Sequence, residues 1–401
     1  MARRFRVDQL VVGAVAVAVG LCAATACSSS SAATTSGSTA TAAAAAANGS
    51  GLPATIKIVS LRDETGPIAT YGENAENGTK VAIQEINGTN YLGTSKLVVT
   101  YEDTTGVPQV AASLASQAVA NSSYVAMLGP IDSAQSVVVA PIVQRGKMPT
   151  VFTRSGSAGV VIGNYTFRAT APQSSTFSVT AAYLKSKGAK KVAVLYATDN
   201  PTNVGLATQT LPSLAAGDGF TIVSTTGVAS TDLDFSTEVS KIESSGADAV
   251  ALFLDGPQFP PAVKLLRQSG FKGTIVSASA AGEGVLAPIG ALGAGVVYTS
   301  DFNPLEKDAG TQHFDALYEK MFGVVPTNIS AEAYDATWMI ARALKNQGTA
   351  TRAAVQVGLT NVAKAGFYGA LGHDTFVGND MRVAGVLTEW NGSKEILLPL
   401  P

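Results

Sequence analysis

The sequence predicts an α/β protein built from two doubly wound, parallel-sheet lobes. Three observations predict it: short β-branched runs recur in two series, apolar stripes at helical spacing lie between them, and the C-terminal part breaks the rhythm. The first series is TIKIVSL (55–61), KLVVTYED (96–103), VAMLGP (125–130) and PTVFT (149–153). The second is KVAVLYA (191–197), TIVSTTGV (221–228), AVALFL (249–254), TIVSAS (274–279) and VVYTSDF (296–302). Several runs are apolar throughout, as strands covered on both faces must be. The stripes fall at Tyr71, Ala75, Gly78, Ala82 and Ile86, at Val110, Leu114 and Ala118, and at Phe314, Leu317 and Met321. Alternating β and α argues for parallel sheets, and two series argue for two of them. Two helices, 309–322 and 330–347, then TRAAVQVGLTNVAKA and a last strand VAGVLTEW (383–390), close the chain. A chain that ends by adding helices to one lobe and a strand to the other crosses between them more than once, and such crossings make a hinge.

Both cysteines of the 401-residue chain, Cys22 and Cys27, lie near the start. Arg3, Arg4 and Arg6 precede an uncharged stretch from Leu10 to Ala26, the outline of a secretory signal. Ala24-Thr25-Ala26-Cys27 is similar to a bacterial lipobox, which makes Cys27 the expected lipidated first residue of the mature chain. A plain signal cut near Ala26, or an uncleaved anchor, is the alternative. Residues 27–54, nearly all Ser, Thr, Ala and Gly, cannot bury enough surface to order themselves and read as a flexible tether. Some 350 residues follow, about right for two lobes. The 46% of apolar residues in the whole chain supports folded rather than disordered material, and no basic stripe suggests nucleic acid.

The motifs of catalysis are missing. No G-x-G-x-x-G follows the first strand, and Gly146-Lys147 lacks the upstream glycine and the hydroxyl of a phosphate loop. Gly156-Ser157-Ala158-Gly159 has the wrong spacing for a nucleophile turn. The only histidines, His313 in an expected surface helix and His373 in an expected loop, sit in no metal or catalytic context. No cofactor, no metal and no enzyme activity are expected. A two-lobed body of this kind suits capture of a small molecule in the cleft between lobes.

TIKIVSLRDETGPIATYGENAENGTKVAIQEIN resembles the opening of the leucine/isoleucine/valine-binding proteins of ABC importers. The likeness continues through YEDTTGVPQVAASLASQ, MLGPIDSAQS, FRATAPQSS, LDFSTEVSKIESSGADAV and AYDATWMIARAL, and covers nearly everything from Thr55 on. It implies a type I periplasmic binding protein, two doubly wound lobes joined by a three-stranded hinge. One lobe is then 55–171 plus 302–372 and the other 172–301 plus 373–401, with crossings near Thr170-Ala171-Pro172, Ser300-Asp301-Phe302 and Leu371-Gly372-His373.

Asp132 reads as a helix N-cap with Gln135 three positions on, opening a helix through Ile142 whose free N–H groups favour an anion. The resemblance implies that Ser133 binds a ligand carboxylate there, that Ser155 and Ser157 in the following loop complete the pocket, and that Tyr71 touches the ligand. The bland reading is that Asp132 only caps and Tyr71 only packs. Where amino-acid binders carry an acid for the ligand ammonium, Ser279 stands here, with Glu283 four residues on. Thr202 replaces one wall tyrosine, and Gln258 and Phe259 replace the next. Either Glu64, Asp255 or Glu283 substitutes for the missing acid, or the solute lacks an α-ammonium and is an amide, a carboxylic acid or a neutral polar compound. The second is favoured, so leucine is expected to bind poorly. The resulting expectation is a monomeric extracellular lipoprotein that delivers a small polar solute to the permease and ATPase subunits of an ABC importer. A sensor subunit reporting to a receptor and an enzyme of unlisted mechanism are the rivals.

Overall fold

The apolar run at the start of the body becomes strand β1 (Thr55–Arg62), and its side chains alternate between two cores. Ile58 joins a cluster with Phe167, Met339 and Leu359 on one face, while Val59 joins Met127, Val143 and Phe152 on the other. This two-residue period, with both faces buried, is what helices on each side of a parallel sheet require. Each such Phe or Leu contributes about 1.5–3 kcal/mol. The computed structural model describes residues 51–282 and 284–401. The expected signal, Cys27, the tether up to residue 50, and Glu283 lie outside them.

The first sheet continues through β2 (Lys96–Asp103), β3 (Tyr124–Leu128), β4 (Thr150–Phe152) and β5 (Thr166–Arg168), with α1 (Ala69–Gly88), α2 (Pro108–Ala120) and α3 (Ser133–Arg145) between. The chain then enters a second sheet. There α4 (Gln173–Ser186) leads to β6 (Lys191–Ala197), α5 (Pro201–Gly205), a π-helical turn (Leu206–Thr210), α6 (Leu211–Asp218) and β7 (Thr221–Val228). Next come α7 (Ser236–Ser244), β8 (Ala249–Phe253), α8 (Phe259–Gln268), β9 (Thr274–Ser277) and β10 (Val296–Ser300). Back in the first lobe lie α9 (Ala309–Phe322), α10 (Asn328–Gln347), α11 (Arg352–Ala365), β11 (Phe367–Gly369), β12 (Gly372–Val377) and β13 (Asp380–Arg382). Two final strands, β14 (Val386–Trp390) and β15 (Glu395–Leu398), complete the second sheet.

The strand orders are β11-β12-β13-β5-β4-β3-β1-β2 and β15-β14-β10-β9-β8-β6-β7. In each sheet a parallel core winds both ways from one strand, β1 in the first and β6 in the second, and antiparallel strands finish one edge. Ligand crevices form at the carboxyl ends of strands beside such a switch point.

The last crossing falls later than expected. The resemblance puts residues 373–382 in the second lobe, yet β12 and β13 pair in the first sheet, where Asp380 stands opposite Arg168 on β5. The Arg168 guanidinium holds the Asp380 carboxylate at 2.7 and 2.9 Å, so this polar hairpin is fastened by charge rather than by an apolar run that a sequence pattern reveals. The chain therefore returns at Val383–Gly385. His373, expected in a loop, lies in β12 with its ring stacked on Tyr368. Asp335 of α10 accepts hydrogen bonds from the Ala370 and Leu371 N–H groups, and burial pushes its carboxyl up to about 7. No helix among the described residues is long and apolar enough to cross a membrane.

Helices α1 and α10 meet backbone to backbone at Gly78, where a Cβ would sit 1.9 Å from the Ser330 carbonyl oxygen. Gly78→Ala should therefore push the helices apart and cost about 2–3 kcal/mol, read as a lower urea midpoint at unchanged slope.

Candidate functional site

The carboxyl ends of β1, β3 and β4 face those of β6, β8 and β9, and the segments that follow these strands make the site. Asp132 caps α3 as expected, accepting from the N–H groups of Ala134 at 2.8 Å and Gln135 at 3.2 Å. The Gln135 side chain does not close a capping box. It donates instead to the buried Asp63 carboxylate at 2.7 Å, which ties the end of β1 to α3, and the helix runs on past Ile142 to Arg145. Ser133 is buried at the first turn, and its hydroxyl lies 2.8 Å from that of Thr202 at the start of α5. Two residues expected at the ligand from opposite lobes thus touch each other.

The loop after β4 is pinned from behind. Arg168 donates to the carbonyl oxygens of Ser155 at 2.8 Å and Ser157 at 2.7 Å. Ser155 turns its hydroxyl to Ser136 and the Pro130 carbonyl. The buried Ser157 hydroxyl has no hydrogen-bond partner among the described residues and lines an interlobe cavity of about 440 Å³ together with Thr202.

Immediately before Ser155 the sequence places a charged residue, Arg154, that no motif marks. Arg154 adopts a left-handed backbone with φ of 56°, a conformation that strains a side-chain-bearing residue. Its N–H donates to the buried Glu332 carboxylate at 2.6 Å, and its guanidinium carbon lies 4.0 Å from the centre of the Tyr71 ring. Tyr71 is buried on α1 with Ala75, Ile131, Ile329 and Ala333. Its hydroxyl reaches the other lobe, where a Cβ at Gly256 would fall 1.8 Å from it. Tyr71 therefore both packs and faces the cleft.

Across from Arg154 stands Asp255. Burial raises its carboxyl, and the nearby Arg154 charge draws it back down, as do the Asn200 and Asn203 amides, which donate to it at 2.8 and 3.1 Å. Of the candidate acids, Glu64 points outward with its side chain 59% exposed and pairs with Arg62 at 3.3 Å. Glu283 is not described. Gln258 and Phe259 do not form the expected cleft wall. A short 3-10 turn at Gly256–Gln258 rotates both inward: Gln258 donates to the Ala229 and Asp232 carbonyls, each at 3.0 Å, and Phe259 is fully buried in the second lobe's core. Ser279 accepts from the Gln173 amide at 2.9 Å and lines a separate cavity on the hinge side.

The hinge holds two buried acids. Asp301 accepts from the Thr170 hydroxyl at 3.0 Å and the Ala171 N–H at 3.4 Å, joining the first two crossings. Burial raises its carboxyl, and burial together with the Asp301 charge raises that of Glu332 well above the ordinary range. The signal for Arg154 was a lone cation directly after an apolar strand. For Glu332 it was an acid on the buried stripe of α10. Among the described residues no group of three His, Cys, Asp or Glu is placed to hold a metal ion.

Comparison with known proteins agrees with this architecture. Residues 55–391 match the family described as periplasmic binding protein. A Leu/Ile/Val-binding protein homolog of Brucella melitensis is 29% identical over 49% of the chain, and the chain spans about half, 54%, of that relative. A leucine-binding protein from Thermotoga maritima superposes with a TM-score of 0.79 at 24% identity, over 86% of this chain and 98% of its own. A solute-binding protein of an R. palustris ABC transporter, crystallised with benzoate, does so with a TM-score of 0.79 at 18% identity, over 86% and 96%.

A carboxyl with a raised pKa in the folded state binds its proton more tightly there than in the unfolded chain. Its favourable contribution is complete below the ordinary value of 4.5 and is lost as pH rises through the raised one. Urea unfolding should therefore show lower stability at pH 8 than at pH 5, and Glu332→Gln, which keeps an acceptor for the Arg154 N–H, should narrow that difference.

Proposed function

Because the chain belongs to the periplasmic binding protein family, we propose that it captures a small organic carboxylate between its lobes and delivers it to the permease and ATPase of an ABC importer. The observation that carries the ligand class is the Arg154 guanidinium, seated on Tyr71 and facing Asp255. A planar guanidinium suits two-point recognition of a carboxylate, and the dipole at the start of α3 adds to the attraction. Asp255 already has a compensating cation and two amide donors, so it does not require an ammonium from the solute. The named ligands of the superposed proteins, leucine and benzoate, share only the carboxylate as a charged group. This chain's cleft fits the second pattern, an acid without an α-ammonium.

Calorimetry on ligand-free, refolded protein tests this. Benzoate is the first probe, and Arg154→Met should weaken its binding by roughly thirtyfold to several thousandfold, the usual effect of truncating one partner of a buried charge pair, about 2–5 kcal/mol. Leucine should bind poorly. Micromolar leucine binding that collapses in Asp255→Asn would overturn the reading and make Asp255 the acid for an ammonium.

The body is proposed to work as a monomer at the outer face of a bacterial membrane, held by lipid on Cys27 through the tract 27–54. Cys27→Ala should release the protein into the medium or leave an unprocessed precursor. Finding it membrane-bound with the signal removed would sink the lipid-anchor reading.

A further inference from the structure

Two buried carboxyl groups meet behind the cleft, and the donors around them are too few for two full charges. Asp301 is 6% and Glu332 2% exposed. They stand within hydrogen-bonding reach of each other, Asp301 on the second crossing between the lobes and Glu332 on α10. Asp301 Oδ2 takes both donors of the first crossing, the Thr170 hydroxyl and the Ala171 N–H, while its Oδ1 has no hydrogen-bond partner among the described residues. Glu332 Oε2 accepts the Arg154 N–H at 2.6 Å, and Oε1 meets the Asn328 amide at 3.4 Å. Two carboxylates in contact in a low dielectric do not both stay ionised, so such a pair keeps a proton where isolated carboxyls have lost theirs. A proton held between Asp301 and Glu332 also supplies the donor that Oδ1 lacks.

The charged groups around the pair fix how it responds. Arg154 faces it from the loop after β4 and draws Glu332 toward ionisation. Glu306, just past the second crossing, and Asp374 on β12 both sense the Asp301 charge. Asp335, three residues along α10, is turned to the Ala370 and Leu371 N–H groups, and Asp255 faces Arg154 from the second lobe.

We propose that the Asp301–Glu332 pair is a proton site coupled to the cleft: capture of a carboxylate solute on Arg154 takes up a proton from solvent onto this pair. The inference rests on the ligand class proposed above. A solute carboxylate against the guanidinium cancels the charge that draws Glu332 toward ionisation, and it adds an anion on the same side. The pair therefore holds its proton more tightly in the complex, and by linkage the protonated pair binds the solute more tightly. Affinity is highest where the free pair already carries the proton, and it falls as pH rises through the titration of the pair.

Calorimetry with benzoate, in buffers of equal pH and different ionisation enthalpy, counts the protons exchanged. Benzoate stays ionised from pH 6 to 9, so uptake in that range belongs to the protein. The ligand-free, refolded chain should take up a fraction of a proton on binding, and its affinity should fall about fivefold or more across the range, the low end of usual coupling between sites. Glu332→Gln should bind benzoate with a flat pH profile and almost no proton exchange. Asp301→Asn removes the like charge and lets Glu332 ionise more readily, so the fall should move to lower pH. In 15N-labelled protein without benzoate, the Arg154 N–H resonance should shift over the pH range in which affinity falls and should stop doing so in Glu332→Gln. Arg154-dependent benzoate binding with no proton exchange would overturn the inference and leave the proposed function standing. Uptake that persists in Glu332→Gln and is lost in Asp255→Asn would overturn it too, by placing the proton on Asp255.

Discussion

Asp301 sits buried where two crossings between the lobes run side by side, and its carboxylate accepts from Thr170 and Ala171 on the neighbouring crossing. The third crossing passes at Gly385, where a Cβ would come within 3.0 Å of both Thr176 and Thr299. Three segments packed this closely leave the lobes a common axis and little freedom apart from rotation about it. The contacts that cross the cleft, Ser133 to Thr202 and Tyr71 to Gly256, depend on that restriction, since the hinge sets how the two lobes come together. The same carboxylate raises the pKa of Glu332, so the hinge and the cleft are electrostatically one unit.

Glu332 in turn decides where Arg154 points. A left-handed backbone at an arginine costs on the order of 1–3 kcal/mol, and the short N–H bond to Glu332 offsets part of it. In return a cation is carried out of a serine-rich loop and laid on the Tyr71 ring. Strain in this loop, held by buried groups behind it, fixes where the charge sits, and under the proposed function that removes an ordering cost from the binding step.

The lobes touch through small groups. Ser133 meets Thr202 hydroxyl to hydroxyl, and Tyr71 approaches the bare backbone of Gly256. A larger residue at either second-lobe position would hold the lobes further apart. The short side chains at Thr202 and Gly256 therefore shape the cleft as much as the charges do.

The two-lobed α/β architecture was legible because β-branched runs and helical stripes are local properties of the chain, and apolar runs such as AVALFL must be buried whatever surrounds them. The cap at Asp132 was legible for the same reason, since it involves only its own next turn. The hairpin at 372–382 was not, because its place is decided by an ion pair between Arg168 and Asp380, residues far apart in the chain. Gln258 and Phe259 aligned with cleft residues, yet one short turn rotated them into the second lobe, and alignment does not see side-chain direction. Arg154, Glu332 and Asp301 each stood in plain view as single charged residues. What made them a site was the folding of three separate segments onto one hinge, where a low dielectric couples charges that the linear sequence keeps apart.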